Sequence, residues 1–320
     1  MSSMQFSPIK RTLQAVLLLV ASAAAGAEPP EILTSIKPLQ LIAQELTEGV
    51  TEVDVLLKPG SSPHSHSLKP SDARKLKSAD VIFWVGPSME AFLPKILGGL
   101  KDTKSVAMME AHGINLRSME EDDNHIHDDH GHAHDHDEYD PHIWLSTDNA
   151  RVMAKAMVKT LVSVDPANKK QYEKNLEVFG QRLNQADEDN LVKVKTAGTR
   201  PFFVFHNAYG YLEEQYGFQV AGFFTTNPDY QPGANHLVQL QEKLQKAGSA
   251  CIFREPQFQP AYIDRLSEGL DIEVGVLDPL AEDIEPGSDS YARFINSMVD
   301  TITDCLQEPL PESLLGSSAG

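Results

Sequence analysis

The chain has 320 residues, and its 46 acidic side chains outnumber 27 basic ones to give a formal net charge of −19. A surface this negative repels polyanions, so the composition excludes nucleic acid as a partner and favours cations. The length suits two domains of ordinary size.

The first 27 residues predict an export signal and not part of the fold. Lys10 and Arg11 supply positive charge, residues 13–25 are apolar, and residues 25–27 fit a small-residue cleavage site. The apolar stretch is short for a membrane span, and no other segment approaches the roughly 20 apolar residues that a span needs. We therefore expect a signal peptide at 1–27 and a periplasmic mature protein. An uncleaved N-terminal anchor is the alternative.

Residues 28–165 alternate between apolar strands and amphipathic helices. This alternation predicts an α/β lobe with a mostly parallel sheet. The predicted strands are 32–36, 53–57, 80–85 and 105–107, and the predicted helices are 38–47, 71–77, 89–97 and 147–164.

An acidic, histidine-rich run at 120–138, EEDDNHIHDDHGHAHDHDE, interrupts this lobe. It holds too few apolar residues to build a core, so we expect a solvated, flexible loop over 118–139. Imidazoles among carboxylates are good ligands for Zn²⁺, Ni²⁺ or Cu²⁺, which predicts an accessory, low-affinity metal site. A charged surface linker is the alternative. The histidines of the run are His125, His127, His130, His132, His134 and His136.

A long helical pattern separates this lobe from a second one. The predicted helix runs from 166 to about 195 within a connecting segment 166–198, and about 30 helical residues span about 45 Å, which suits a rigid connector. Residues 199–310 return to strand–helix alternation, and residues 311–320 are predicted to be a disordered tail. The predicted strands are 202–205, 218–223, 251–253 and 272–277, and the predicted helices are 208–216, 236–246, 261–266 and 290–306. The expected fold is therefore α/β, with two lobes, each a mostly parallel sheet flanked by helices, joined by one long rigid helix.

The chain has two cysteines, Cys251 and Cys305. An even cysteine count in an exported protein favours a disulfide between them. Two buried free thiols are the alternative. Thiolate zinc ligands are less favoured, because the pair lacks CxxC spacing.

Five side chains outside the histidine-rich run are candidate ligands. His64 follows the predicted strand 53–57 and His206 follows 202–205, while Glu255 and Asp278 follow the last two predicted strands. His142 stands just before an apolar segment, after Asp-Pro. Ligands bind at the carboxyl ends of strands in open α/β sheets, so the shared placement predicts a metal site, although any one of these residues alone is more often structural.

Nine stretches make the chain similar to a known family, the ZnuA-type periplasmic zinc-binding proteins of bacterial high-affinity zinc ABC importers, in the cluster A-I solute-binding family. The similarity covers most of the chain beyond residue 27, including a His- and acid-rich loop before a DPHIW-like motif and two cysteines. The stretches are TSIKPL (34–39), PGSSPHSHSLKPSDARKL (59–76), ADVIFWVGPSMEAFL (79–93), DPHIWLSTDNAR (140–151), DPANKKQYEKNL (165–176), FVFHNAYGYLEEQYGF (203–218), NPDYQPGA (227–234), CIFREPQFQP (251–260) and LDPL (277–280).

The resemblance implies a particular ligand set. It assigns metal binding to His64, His142, His206 and, as fourth ligand, Asp278, a combination that suits tetrahedral Zn²⁺. Glu255 is implied near the pocket, to orient a ligand histidine or as an alternative ligand. Other residues rank lower: His66 is a rival for His64 at a position that is often aromatic in relatives, and His112 and His236 have no motif support.

The resemblance also implies capture of Zn²⁺ in the cleft by a monomer and delivery to an ABC permease, without catalysis. Manganese and iron relatives carry Glu at position 206, so His206 favours zinc. The histidine-rich run is then a zinc collector or a sensor of zinc sufficiency. The alternatives are a manganese or iron carrier, a metal-dependent adhesin, a periplasmic zinc buffer and a secreted zinc hydrolase. The hydrolase is disfavoured because the chain has no HExxH motif and no GxSxG nucleophile elbow at a predicted strand-to-helix turn.

Overall fold

The computed structural model describes residues 28–119, 139–258 and 260–307. The predicted signal peptide, the histidine-rich run and the C-terminal tail lie outside these ranges. Ser118 and Tyr139, which flank the run, form an antiparallel bridge, so the described residues on its two sides lie next to each other. Within the described ranges, no helix has the length and apolar character to cross a membrane.

Four parallel strands form the sheet of the N-terminal lobe, in the order β2-β1-β3-β4. All four residues of β3 are buried, which explains why its sequence, VIFW, is continuously apolar and not alternating. The strands are β1 (Ile32–Thr34), β2 (Val53–Val55), β3 (Val81–Trp84) and β4 (Lys104–Ala107), and the helices are α1 (Lys37–Leu46), α2 (Pro70–Ser78) and α3 (Pro94–Leu97).

The helix predicted at 89–97 is wrong over its first half, because only α3 is helical there. Pro94 has no N–H to bond the Glu90 carbonyl, so a helix cannot run through it unbroken. The Glu90 side chain instead accepts hydrogen bonds from the backbone N–H groups of Val85 and Gly86. Turns therefore connect β3 to α3.

Two antiparallel-packed helices follow, α4 (Thr147–Val164) and α5 (Lys169–Thr196). The prediction for α4 agrees with its observed bounds, and α5 begins after a 3₁₀ turn at Pro166–Asn168. Its 28 residues span about 42 Å. Helix α5 packs on helices of both lobes, so the predicted long connector is confirmed.

The C-terminal lobe repeats the architecture with a parallel sheet in the order β6-β5-β7-β8. Its strands are β5 (Phe202–His206), β6 (Val220–Thr225), β7 (Ser249–Arg254) and β8 (Asp271–Val276), and its helices are α6 (Gly210–Tyr216), α7 (Ala234–Ala247), α8 (Ala261–Ser267) and α9 (Ser290–Leu306). The predicted disulfide is present: Cys251 of β7 is bonded to Cys305 of α9, both buried.

Glu45, on α1, ties three elements together. Its carboxylate accepts from Arg182 of α5 at 3.1 Å and from the backbone N–H of Tyr291 in α9 at 2.9 Å. Burial raises the pKa of Glu45 to about 7, although the Tyr291 N–H and the Arg182 charge both act to lower it. A buried carboxylate thus lies where the N-terminal lobe, the long helix and the last helix meet.

Replacing Glu45 by Gln is expected to flatten the pH dependence of stability. The pKa of Glu45 rises from 4.5 to about 7 on folding, so this group destabilises the fold as pH rises through that window. Glu45→Gln should match the parent near pH 5 and exceed it at pH 8 by on the order of 2–3 kcal/mol, a figure in which the attraction of Arg182 for the ionised form is already included. Urea unfolding at both pH values measures the difference.

The exposed Glu52 provides a matched control, and Glu52→Gln should shift stability equally at the two pH values. A Glu45→Gln variant that is equally destabilised at pH 5 and pH 8 would contradict the burial argument.

Candidate metal centre

Three of the predicted ligands converge in the cleft between the lobes. His64 lies on the loop between β2 and α2, His142 precedes a 3₁₀ turn at Ile143–Leu145, and His206 is the last residue of β5. Their ligand atoms lie within 4.8 Å of one another. His142 and His206 are each 3% exposed, and His64 is half-buried. Within the described ranges, no other group of three such ligand atoms is this close together.

Two buried carboxylates orient two of these rings. Asp140 Oδ1 lies 2.8 Å from His142 Nδ1, and Glu255 Oε1 lies 2.5 Å from His206 Nδ1. An ionised carboxylate only accepts hydrogen bonds, so each Nδ1 carries the proton and each Nε2 presents a lone pair. Tyr209 Oη donates to the same oxygen of Glu255 at 3.2 Å. Glu255 therefore fixes the orientation of the His206 ring, and the assignment of that ring as a metal ligand stays a prediction.

Asp140 is the functional residue that the sequence interpretation missed. It also accepts the backbone N–H of His142 at 3.0 Å and contacts Arg117 at 3.4 Å. The sequence held a local signal for Asp140. An Asp two residues before a candidate ligand can reach both the backbone N–H and the Nδ1 of that residue.

The two oriented nitrogens face each other. His142 Nε2 and His206 Nε2 are 3.2 Å apart, and the rings of both lie 5.5 and 5.7 Å from the ring of His64. Two imidazoles bound tetrahedrally to one ion at about 2.0–2.1 Å would have nitrogens about 3.3–3.4 Å apart. Burial, together with the neighbouring His142 and His206, lowers the pKa of His64 to about 2, so His64 is neutral and able to coordinate. The arrangement is suited to a divalent cation.

Asp278, the predicted fourth ligand, lies just beyond β8 but outside this group of three. Its Oδ1 accepts the backbone N–H of Leu280 at 2.9 Å and the Gln257 amide at 3.3 Å. Its Oδ2 accepts the backbone N–H of Glu282 at 2.5 Å. Burial raises the pKa of Asp278. Its role as a ligand stays a prediction.

The remaining candidate histidines have other surroundings. His66 Nε2 pairs with Asp72 at 3.0 Å, and its ring packs on Phe92. His236 Nε2 bonds the carbonyl of Phe223 at 2.8 Å, and His112 is exposed. His64, and not His66, is the member of the loop that joins the group.

Comparison with known proteins places the chain in a family. The chain matches the family model ZnuA, described as zinc-uptake complex component A periplasmic, over residues 32–305. The high-affinity zinc uptake system protein ZnuA of Yersinia pestis is 37% identical over 289 residues, covering 86% of this chain and 91% of the relative. The protein of the same name from Haemophilus ducreyi is 37% identical over 323 residues, covering 93% and 99%.

A solved structure shares the fold. The periplasmic zinc binding protein TroA from Treponema pallidum superposes with a TM-score of 0.72 at 20% identity, covering 87% of this chain and 99% of that one. At this identity the likeness concerns the architecture of two lobes around a long helix. The family model spans nearly all of the described residues, and we conclude that the chain belongs to the ZnuA family.

Proposed function

We propose that this chain captures Zn²⁺ between its lobes, with His64, His142 and His206 as ligands, and delivers it to a membrane ABC permease. The observation that carries the proposal is the pair of carboxylate-oriented Nε2 atoms 3.2 Å apart, with His64 beside them. Three imidazoles favour zinc over manganese. Relatives that are 37% identical carry the name of a high-affinity zinc uptake system protein.

Binding fits this centre better than catalysis. A zinc hydrolase needs an open coordination position and a general base beside it. The buried carboxylates of Asp140 and Glu255 instead each accept a hydrogen bond from the Nδ1–H of a proposed ligand histidine. The chemistry of the centre is therefore directed at holding an ion.

The proposal extends to parts of the chain outside the described residues. Residues 1–27 act as the export signal, which gives a periplasmic location, and the run 120–138 collects zinc with low affinity or senses its supply. The carrier works as a monomer. We retain Asp278 as the fourth ligand: a carboxylate oxygen has two lone pairs, so Oδ2 can accept the Glu282 N–H and also coordinate the ion.

The three-histidine assignment predicts one tight zinc site that survives removal of residues 120–138. His64→Ala, His142→Ala or His206→Ala should each weaken binding by at least about a hundredfold, because each removes a direct ligand. Competition titration with a zinc chelator measures this, and excess Mn²⁺ should not displace Zn²⁺. His66→Ala, on the same loop, is the control and should keep tight binding. Loss of tight binding on deleting the run alone would contradict the assignment.

The Asp278 assignment is tested separately. Asp278→Asn keeps the shape and a hydrogen-bond acceptor but removes the anionic ligand, so zinc affinity should fall about tenfold or more. Asp283, exposed and a few residues away, gives Asp283→Asn as a control for overall charge. Equal affinities for the two variants would show that a group other than Asp278 completes the coordination.

Delivery distinguishes transport from buffering. A strain lacking the gene should grow poorly when zinc is limiting and recover with added zinc. The parent gene should restore growth, and the His206→Ala gene should not. Normal growth of the deletion strain under zinc limitation would favour a buffer that never meets a permease.

A further inference from the structure

His142 and His206 are both fixed to the C-terminal lobe. His206 ends β5, and the backbone around His142 is bonded to the same lobe: Tyr211 Oη of α6 donates to the carbonyl of Asp140 at 2.8 Å. The indole N–H of Trp144 donates to the carbonyl of Pro279 at 2.7 Å. These bonds are buried, so water does not compete for them. Two of the three proposed ligands therefore form one rigid unit.

His64 differs, because it lies on a loop of the N-terminal lobe that reaches across the cleft. The loop contacts the opposite lobe through Asp229, whose carboxylate accepts from Ser65 Oγ at 2.8 Å and from Ser62 Oγ at 3.3 Å. Ser62 Oγ in turn accepts the backbone N–H of His64 at 3.2 Å. Asp229 is thus linked to the backbone of His64 through a single hydroxyl.

A second carboxylate makes an independent link beside the first. The Glu282 side chain accepts the backbone N–H of Gly60, on the loop that carries His64, and the amide of Gln257 at 2.7 Å. The backbone carbonyl of Glu282 accepts Lys37 Nζ at 2.6 Å. Glu282 therefore joins the C-terminal lobe to both the start of α1 and the loop.

Hydrogen bonds in the segment at the end of β6 fix the position of Asp229. Thr225 Oγ1 donates to the carbonyl of Asn227 at 2.7 Å, and the Asn227 side chain accepts the backbone N–H of Asp229 at 3.0 Å. The Asp229 carboxylate is exposed. Exposed contacts open more readily than buried ones, which suits a contact that breaks and forms again.

The geometry points to Asp229 and Glu282 as positioning residues that hold His64 in the proposed site and whose contacts break when the ion leaves. This inference rests on the proposed zinc capture and adds the step that controls release. The loop departs with His64, while His142 and His206 stay in place. Because the two carboxylates contact the loop and not the proposed ligand atoms, their removal is expected to speed the departure of the loop, and thus to change the dissociation rate more than the association rate.

Stopped-flow transfer of Zn²⁺ to a chromogenic chelator tests this with the full mature chain. Asp229→Ala and Glu282→Ala should each raise the dissociation rate about tenfold, with the association rate within about twofold of the parent. Asp229→Asn should stay close to the parent, because its amide oxygen still accepts a serine hydroxyl. Asp283→Ala controls for the loss of a nearby negative charge. Thermal unfolding without metal confirms that each variant folds.

A double-mutant cycle isolates the contact itself. Ser65→Ala should speed release, and adding it to Asp229→Ala should have less than the additive effect. The inference is overturned if Asp229→Ala and Glu282→Ala release zinc at the parental rate. It is also overturned if Asp229→Asn and Asp283→Ala release zinc as fast as Asp229→Ala does, because that result would indicate an effect of charge only. Weak zinc binding by the parent overturns the proposed function itself. Tight parental binding with unchanged release overturns the positioning role alone.

Discussion

Two buried carboxylate–imidazole bonds determine what the cleft can do. Asp140 and Glu255 accept hydrogen bonds from the Nδ1–H groups of His142 and His206, so the Nε2 lone pairs of both rings point to the same place. Without these bonds either ring can turn or change tautomer, and two lone pairs at 3.2 Å repel unless a cation or a proton lies between them. The cleft is thus organised for a positive ligand by residues that do not touch it, as is common in metal sites. An acidic protein surface adds a favourable field for the approach of a cation.

The fold places the three histidines in the cleft between two similar lobes. Strand β5 ends at His206, β2 is followed by the loop that carries His64, and α5 packs on helices of both lobes. Glu45 bonds α5 and α9 from α1, while the Cys251–Cys305 disulfide secures α9 to β7. With the lobes joined this firmly, large hinge motion is disfavoured, and the proposed movement is confined to the loop that carries His64.

Prediction from sequence succeeded where the signal was local. Continuous apolar runs such as VIFW identified the buried strands, and the bounds of α4 and α9 agree with the amphipathic pattern. The helix predicted at 89–97 was wrong over its first half, because Pro94 has no N–H to bond the Glu90 carbonyl. Apolar spacing carries no information on a missing backbone donor. The choice of His64 over His66, two residues apart, was made by the family resemblance. In the structure His64 lies in the group of three histidines, and His66 pairs with Asp72.

Composition, strand-end placement and motif resemblance by themselves determined the α/β class, the two lobes and the histidines worth testing, since these depend on residues near one another in the chain. The tertiary structure decided which of them meet. It brought His64, His142 and His206 together across separations of up to 142 residues, left Asp278 bonded to backbone N–H groups, and bonded Asp229 and Glu282 to the loop that carries His64, contacts that no pattern indicated. The reason is physical: a hydrogen bond between distant segments depends on the packing of whole lobes, and the spacing of residues along a chain does not encode it.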